Sequence, residues 1–219
     1  ACIECRQPAQ LGAVVEQAGI EEVGRHPPGL GLELTEAQHA GFDRKADEFL
    51  GQFVAALAVV THGVTVAFRL VTLNLNGIRS AANKGFVEWA ATVGADCMGV
   101  QELKAQAEHI EGQFDVIDGM RGHFHLAEKK GYSGVGLYSR KKPSEVIVGL
   151  DDPDFDAEGR YVEARFDTPK RKLSIISCYF PSGSSGEDRQ QAKFVFLDTI
   201  YPHLVRLKEE REFILVGDI

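Results

Sequence analysis

From Arg69 onward the chain consists of short apolar runs, several of them alternating with polar residues, separated by turn residues. A period of two with β-branched enrichment is typical of strands. It predicts strands over 69–73, 97–101, 123–126, 134–139, 145–148, 161–166, 173–179 and 213–216. A spacing of 3.6 residues predicts helices over 80–93 and 187–210, and a short polar helix is expected over 105–111. The alternation of strands, helices and hairpins predicts a layered α/β fold with mixed sheets.

The two longer predicted helices each have one apolar face. The first places Phe86, Trp89, Ala90 and Val93 on one side and is closed by Gly94. The apolar stripe of the second comprises Phe194, Leu197, Ile200, Leu204 and Leu207.

The first 68 residues have a different texture. Residues 1–48 contain no clear strand, and helical spacing is present only over 34–53. Residues 49–68 form a run of 20 without a charge, which meets the length of a membrane span. Because this run contains Gln52 and His62 and leads directly into a strand, we expect no membrane span. The acids of residues 43–48 before it also argue against a secretory signal.

Charge is spread unevenly over a chain of net charge -8, so no overall basic field attracts nucleic acid. Residues 1–68 carry 4 Lys/Arg against 9 Asp/Glu, and residues 69–219 carry 20 against 23. Basic clusters occur at Lys129–Lys130, Arg140–Lys142 and Lys170–Lys172. They are either solvated turns or a rim that contacts phosphates.

The four cysteines do not form a metal-binding or disulfide pattern. Cys97 and Cys178 lie in apolar runs, where a cysteine is usually a small buried side chain. Cys2 and Cys5 form a single C-x-x-C without a second pair. We therefore expect reduced thiols and a cytoplasmic protein.

Three predicted strands end in a side chain that carries oxygen: Asn74, Glu102 and Asp218. Polar residues end many strands, but three such ends together favour a shared site, because ligands bind where the strands of α/β sheets end. The Glu102 carboxylate and the Asn74 carbonyl are hard oxygen ligands that suit Mg²⁺. A solvated acid and a turn-forming amide are the alternatives.

Two further residues have candidate roles at this edge. Asp218 follows Gly217 and can orient or deprotonate water, or it can cap a helix. Tyr179 ends a strand, where its phenol can donate to a phosphate or pack at the rim. The glycine-rich run 131–136 opens a strand rather than a helix, so the dinucleotide-fold and P-loop interpretations fail.

Five motifs occur together in a familiar order. They are Leu73-Asn74-Leu75-Asn76-Gly77-Ile78-Arg79, Gln101-Glu102-Leu103-Lys104, the run 131–140, Tyr179-Phe180-Pro181 and Gly217-Asp218. In these motifs the region 69–219 resembles the exonuclease III type of apurinic/apyrimidinic endonuclease, within the endonuclease/exonuclease/phosphatase superfamily.

The resemblance implies a four-layer α/β sandwich of two mixed sheets with outer helices. It also implies hydrolysis of the DNA backbone 5′ of abasic sites in base excision repair, with Mg²⁺ (or Mn²⁺) and with 3′–5′ exonuclease and 3′ phosphatase activities. Asn74 and Glu102 would lie at the metal, Tyr179 near the scissile phosphate, and Asp218 would position or activate the water. The expected partner is double-stranded DNA with abasic sites or 3′ ends, bound by a monomer away from membranes.

The ends of the chain carry two expectations. The family's next active-site residues, an Asn two positions after the Asp and a later Asp and His, would follow Ile219, so we expect a domain truncated at its C-terminus and inactive as these 219 residues. Residues 1–68 match nothing in the family, and we expect a disordered extension or a misassigned leader with the authentic start near Val66.

Two other functions resemble this pattern. One is a nucleic-acid-binding regulator of the catabolite repression control type, which lacks nuclease chemistry; the presence of Asn74, Glu102 and Asp218 argues against it. The other is a superfamily phosphatase that acts on a different phosphoester. The Tyr179-Phe180-Pro181 motif and the run 131–140 favour the DNA repair branch.

Overall fold

The structure is a computed structural model that describes residues 12–14, 32–36, 55–61, 64–183 and 186–218. The strands are β1 (Gly12–Val14), β2 (Leu32–Glu36), β3 (Ala55–Thr61), β4 (Val64–Phe68), β5 (Leu70–Asn74), β6 (Cys97–Gln101), β7 (Val116–Ile117), β8 (Met120–His125), β9 (Val135–Ser139), β10 (Glu145–Val148), β11 (Tyr161–Thr168), β12 (Arg171–Tyr179) and β13 (Glu212–Asp218). The helices are α1 (Ile78–Asn83), α2 (Phe86–Thr92), α3 (Ala107–Ile110), α4 (Pro153–Asp156) and α5 (Glu187–Glu210).

Two mixed five-stranded sheets form the centre of the molecule. The first has the order β5-β6-β9-β8-β7, with β5 and β6 parallel and the other pairs antiparallel. The second has the order β1-β13-β12-β11-β10, with β1, β13 and β12 parallel and the hairpins antiparallel. Strands β2, β3 and β4 form a separate antiparallel sheet.

The alternation along each strand sends one set of side chains between the sheets and the other toward the helices. The layer between the sheets includes Leu137, Val162, Ile175 and Val216. A second cluster packs α1, α2 and α3 on the outer face of the first sheet, and a third packs α4 and α5 on the second. The predicted four-layer sandwich of two mixed sheets with outer helices is therefore confirmed over the described residues.

Two local predictions are wrong. The helix expected over 80–93 is divided into α1 and α2 at Lys84 and Gly85, because Gly85 takes a left-handed conformation with φ of 94°. In the second helix Phe194 is 51% exposed, and Phe196 is buried in its place.

The N-terminal region contains backbone strands where none was expected. Strands β1 and β2 lie within residues 1–48, and β1 pairs with β13 through Gly12 and Phe213. The start of the helical pattern at residue 34 falls inside β2, so that expectation is also wrong. Most of residues 1–68 lies outside the described residues, and the expected disorder or misassigned leader stays a prediction.

The uncharged run 49–68 contributes two strands. Within it β3 and β4 pair in antiparallel fashion, from Leu57 opposite Phe68 to Thr61 opposite Val64. In the portion of the chain that the structure describes, no helix is both long and apolar enough to cross a membrane.

Candidate active site

Asn74 is held at the end of β5 by a turn that hydrogen-bonds to the last residue of β6 and to the residue after it. The amide of Leu75 donates to the Gln101 carbonyl at 2.9 Å, and the amide of Gly77 donates to the Glu102 carbonyl at 2.7 Å. Gly77 has a φ of 104°, which glycine adopts without a Cβ clash. The Asn-x-Asn-Gly sequence thus fixes Asn74 beside the end of the neighbouring strand.

Glu102 follows β6 in a left-handed backbone conformation with φ of 52°, which is uncommon for a residue with a side chain. The adjoining segment is held in place, since Leu103 donates its amide to the Gly134 carbonyl at 3.0 Å and Lys104 donates to Ser133 at 2.8 Å. Such strain costs about 1–3 kcal/mol and persists where the surroundings determine the conformation. Here it turns the Glu102 carboxylate toward Asn74.

Tyr179 and Asp218 come from neighbouring parallel strands of the second sheet. They are register partners in β12 and β13, and the Phe180 amide donates to the Asp218 carbonyl at 2.9 Å. Just before Asp218, a Cβ on Gly217 would lie 1.8 Å from the Cys178 carbonyl oxygen. Only glycine therefore allows β13 to reach this position beside β12.

The structure brings all four predicted site residues into one hydrogen-bonded cluster. Asn74 Nδ2 donates to Glu102 Oε1 at 2.9 Å and to Asp218 Oδ2 at 2.8 Å. The Tyr179 hydroxyl donates to Glu102 Oε1 at 2.9 Å. Asn74 therefore links the ends of the two sheets.

The orientation of the Asn74 amide follows from its partners. Its oxygen accepts the Asn76 amide at 2.9 Å, which directs the nitrogen toward the two carboxylates. In this arrangement Asn74 separates two like charges by donating to both.

The electrostatics keep Glu102 ionised and Tyr179 protonated. Burial raises the pKa of Glu102, but hydrogen bonds from Asn74, Lys104 and Tyr179 outweigh it and hold that pKa below its ordinary value. The pKa of Tyr179 is raised, first by burial and then by its hydrogen bond to the Glu102 carboxylate. A carboxylate and a neutral phenol therefore coexist at neutral pH.

Lys104 is a site residue to which the sequence alone assigned no role. Its Nζ lies 2.7 Å from Glu102 Oε2 and also donates to Asn76 Oδ1. The signal was present in the Gln-Glu-Leu-Lys motif, because the side chain two residues after Glu102 returns to the same edge. Lys104 supplies a local positive charge beside the carboxylate.

Arg160 and Tyr132 also belong to this region and were not given roles from the sequence. Arg160 donates Nη1 to the Tyr179 carbonyl at 2.9 Å and Nη2 to the Tyr132 hydroxyl at 3.1 Å. Arg160 lies in the connection before β11, and no motif marked it.

The three basic clusters lie at two opposite ends of the sandwich. Lys129–Lys130 lies in the connection from β8 to β9. This connection is at the site end, because β9 begins at Val135, which is paired with Gln101 at the end of β6. Arg140–Lys142 follows Ser139, which is opposite Cys97 at the far end of β6. Lys170–Lys172 lies at the start of β12, about 26 Å from Tyr179 at about 3.3 Å per residue. Only the first cluster is placed to contact a substrate at the site.

The donor set fits a magnesium ion that takes most of its ligands from water and substrate. Of the two predicted ligands, Glu102 supplies a carboxylate, the hard oxygen ligand that Mg²⁺ prefers, and its Oε2 has only Lys104 as a partner among the described residues. The Asn74 carbonyl oxygen accepts the Asn76 amide while the Asn74 nitrogen faces Glu102, so Asn74 lies beside this carboxylate without presenting its oxygen to it. In the described part of the chain no group of three or more His, Cys, Asp or Glu side chains could hold a metal. Mg²⁺ sites with one or two protein carboxylates do not require such a group.

The prediction of buried, unpaired cysteines is confirmed for the two that the structure describes. Cys97 and Cys178 are fully buried and free, and burial raises the pKa of both. Cys2 and Cys5 lie outside the described residues.

Comparison with known proteins gives relatives that are named as nucleases. The chain is 28% identical over 153 residues to an exodeoxyribonuclease of Bacillus subtilis, covering 69% of this chain and 58% of that protein. It is 27% identical over 153 residues to a DNA-(apurinic or apyrimidinic site) endonuclease of Dictyostelium discoideum, covering 69% of this chain and 41% of that protein. The chain thus spans about half the length of these relatives.

A solved structure shares the fold. The APE2 catalytic domain of Xenopus laevis superposes with a TM-score of 0.60 at 22% identity, covering 68% of this chain and 57% of that one. The family model of the endonuclease/exonuclease/phosphatase family matches residues 71–218, which include all four site residues. With that match over more than half of its length, the chain belongs to the endonuclease/exonuclease/phosphatase family.

Proposed function

We propose that the protein is a metal-dependent DNA repair nuclease, a phosphodiesterase that hydrolyses the DNA backbone 5′ of abasic sites, with 3′–5′ exonuclease and 3′ phosphatase as accompanying activities. The observation that carries the proposal is the double hydrogen bond of Asn74 to Glu102 and Asp218, which joins two carboxylates at the ends of both sheets. The relatives named as exodeoxyribonucleases and apurinic endonucleases support the choice of DNA as substrate.

The metal in the proposal is Mg²⁺, with Mn²⁺ as the alternative. Glu102 would hold it, with Asn74 adjacent, because the lowered pKa keeps the Glu102 carboxylate charged. When bound, the ion would polarise a phosphate oxygen and stabilise the charge that develops during hydrolysis.

In this proposal Asp218 accepts a proton, and Tyr179 donates a hydrogen bond. The Asp218 carboxylate, fixed by Asn74 Nδ2, orients a water and accepts its proton. The raised pKa of Tyr179 keeps its phenol protonated, so its hydroxyl can donate to Glu102 or to a phosphate oxygen.

The proposed partner is double-stranded DNA with abasic sites or 3′ ends, bound by a monomer in the cytoplasm. Lys129 and Lys130 are exposed at the site end and would contact its phosphates.

The test is cleavage of an end-labelled duplex that contains one tetrahydrofuran abasic analogue, with the protein at its natural length. Mg²⁺ should give a single nick 5′ of the analogue, and a chelator should abolish it. Glu102→Gln should lose the activity, whereas Glu111→Gln, a change at an exposed glutamate, should retain it. Full cleavage in chelator would refute the metal assignment. Duplex binding without cleavage would instead favour the regulatory alternative.

A further inference from the structure

Arg160 lies behind Tyr179 and contacts it in three ways. The guanidinium carbon lies 5.1 Å from the centre of the Tyr179 ring. Nη1 donates to the Tyr179 carbonyl at 2.9 Å, and the Tyr179 amide donates to the Arg160 carbonyl at 2.9 Å. The ring face and both backbone groups of Tyr179 are thereby held by one residue.

The rest of the guanidinium is held from the other side. Nε donates to Glu158 Oε2, and Nη2 donates to the Tyr132 hydroxyl at 3.1 Å. The Tyr132 hydroxyl in turn donates to Glu158 Oε1 at 3.2 Å. All three guanidinium nitrogens are thus in use, and the rigid planar group cannot turn without losing several contacts.

Arg160 is buried and does not face the substrate side of the site. Only 3% of Arg160 is exposed, so its side chain is not available to a duplex in this arrangement. Its contacts lead instead through Tyr179 to Glu102, since the Tyr179 hydroxyl lies 2.9 Å from Glu102 Oε1. Its direct contact with the site is therefore with Tyr179.

We propose that Arg160 is a positioning residue that holds the Tyr179 phenol on Glu102 and couples the Tyr132 loop (residues 126–134) to the site. The inference rests on the proposed function for the role of Tyr179. The ring of Tyr179 turns about two bonds, and the contact of its face with the guanidinium selects the orientation in which the hydroxyl reaches Glu102. Tyr132 shares the same guanidinium, so the loop and the phenol are fixed together.

The first test does not depend on activity. The protein is labelled with 3-fluorotyrosine, and the Tyr179 signal is assigned by its loss in Tyr179→Phe. Arg160→Lys and Arg160→Met should shift or broaden that signal, and Tyr132→Phe should shift it less. The control is Arg171→Met, which removes another paired arginine at the opposite end of β12, where its partner Glu212 is partly exposed, and should leave the signal in place. An unchanged Tyr179 signal in both Arg160 variants would overturn the proposal.

The second test is a double-mutant cycle on cleavage of the abasic duplex. Arg160→Lys should lower kcat to within about twofold of Tyr179→Phe, and the double variant should lose little more, because both changes remove the same positioned phenol. KM should change by less than about threefold. Additive losses would indicate an independent structural role and overturn the proposal.

The two tests distinguish failures. If no variant and no wild-type protein cleaves DNA, the proposed function fails, while the fluorine signals still report whether Arg160 holds Tyr179. Arg160→Lys retains the charge and much of the volume, so it keeps the test valid if Arg160→Met does not fold.

Discussion

Asn74 and Asp218 are separated by 144 positions in the chain, and their side chains meet at 2.8 Å. Each lies at the end of a strand in a different sheet, β5 and β13. The contact closes the same end of the sandwich at which Glu102 and Tyr179 lie. The site therefore depends on the two sheets packing in one register.

A first prediction concerns the two carboxylates to which the Asn74 amide donates. Asn74→Asp replaces a donor by a third carboxylate, so the free energy of unfolding without metal should fall by about 1–3 kcal/mol at neutral pH. Added Mg²⁺ should restore part of it, because a ligand that binds the folded state stabilises it. Urea unfolding with and without Mg²⁺ measures both effects.

The matched control for this variant is Asn83→Asp, at an exposed position near the end of α1. Its stability should stay within about 0.5 kcal/mol of the wild type and should not respond to Mg²⁺. If Asn74→Asp proved as stable as the wild type in chelator, Asn74 would not be separating two charges.

A second prediction is a pH dependence of stability that comes from Glu102. Burial raises its pKa in the folded protein, but the hydrogen bonds that the carboxylate accepts from Asn74, Lys104 and Tyr179 outweigh burial and lower it. Its contribution is therefore fully present above the unfolded pKa of about 4.3 and is lost as the pH falls through the lower folded pKa. Glu102→Gln should remove this part of the slope.

The measurement is the free energy of unfolding in urea from neutral to acid pH for both proteins. The difference between them should be constant above about pH 5 and should shrink toward lower pH. Parallel curves over the whole acid range would mean that Glu102 titrates in the folded protein as it does in the unfolded chain.

A third prediction concerns the hydroxyl of Tyr179. Tyr179→Phe removes its hydrogen bond to the Glu102 carboxylate, and a bond to a charged group contributes about 1.5–3 kcal/mol. We expect kcat for cleavage of the abasic duplex to fall by about tenfold to a hundredfold, with KM nearly unchanged. Steady-state kinetics at saturating Mg²⁺ give both constants.

Tyr201→Phe is the control, because Tyr201 is 69% exposed on α5. It should behave as the wild type in the same assay. A Tyr179→Phe protein with unaltered kcat would exclude a role for the phenol in the reaction.

The convergence of Asn74, Glu102 and Asp218 could be predicted from the sequence because it follows from strand order. Asn74 and Asp218 end strands that run in parallel with a neighbour, and Glu102 follows one directly, so they reach one edge wherever the two sheets align. The alternation of apolar residues predicted the bounds of these strands to within about two residues. The hydrogen bonds of Asn74 to both carboxylates could not be predicted, because they depend on how the two sheets pack together.

Helix phase and local breaks were less predictable. Phe194 and Phe196 are both apolar and lie about 200° apart around α5, so the sequence does not determine which of them faces the sheet. Gly85 lies inside a regular apolar pattern, and its left-handed φ divides the helix. In the same way Arg160 has a role only because the second sheet places it behind Tyr179, a relation between distant residues that no local pattern records.

A fourth prediction compares two lysine pairs at opposite ends of the sandwich. Lys129 and Lys130 lie in the β8–β9 connection at the site end, whereas Lys141 and Lys142 follow the far end of β9. Each phosphate contact contributes about 0.9 to the slope of log K against log salt concentration. Changing Lys129 and Lys130 together to Gln should therefore lower this slope by about 1 to 2, and changing Lys141 and Lys142 should leave it unaltered.

Fluorescence anisotropy of a labelled duplex over about 50 to 200 mM salt measures the slope. Because both double variants remove the same charge from the chain, an equal loss in the two would show that binding responds to net charge, and that no defined face at the site end contacts the phosphates.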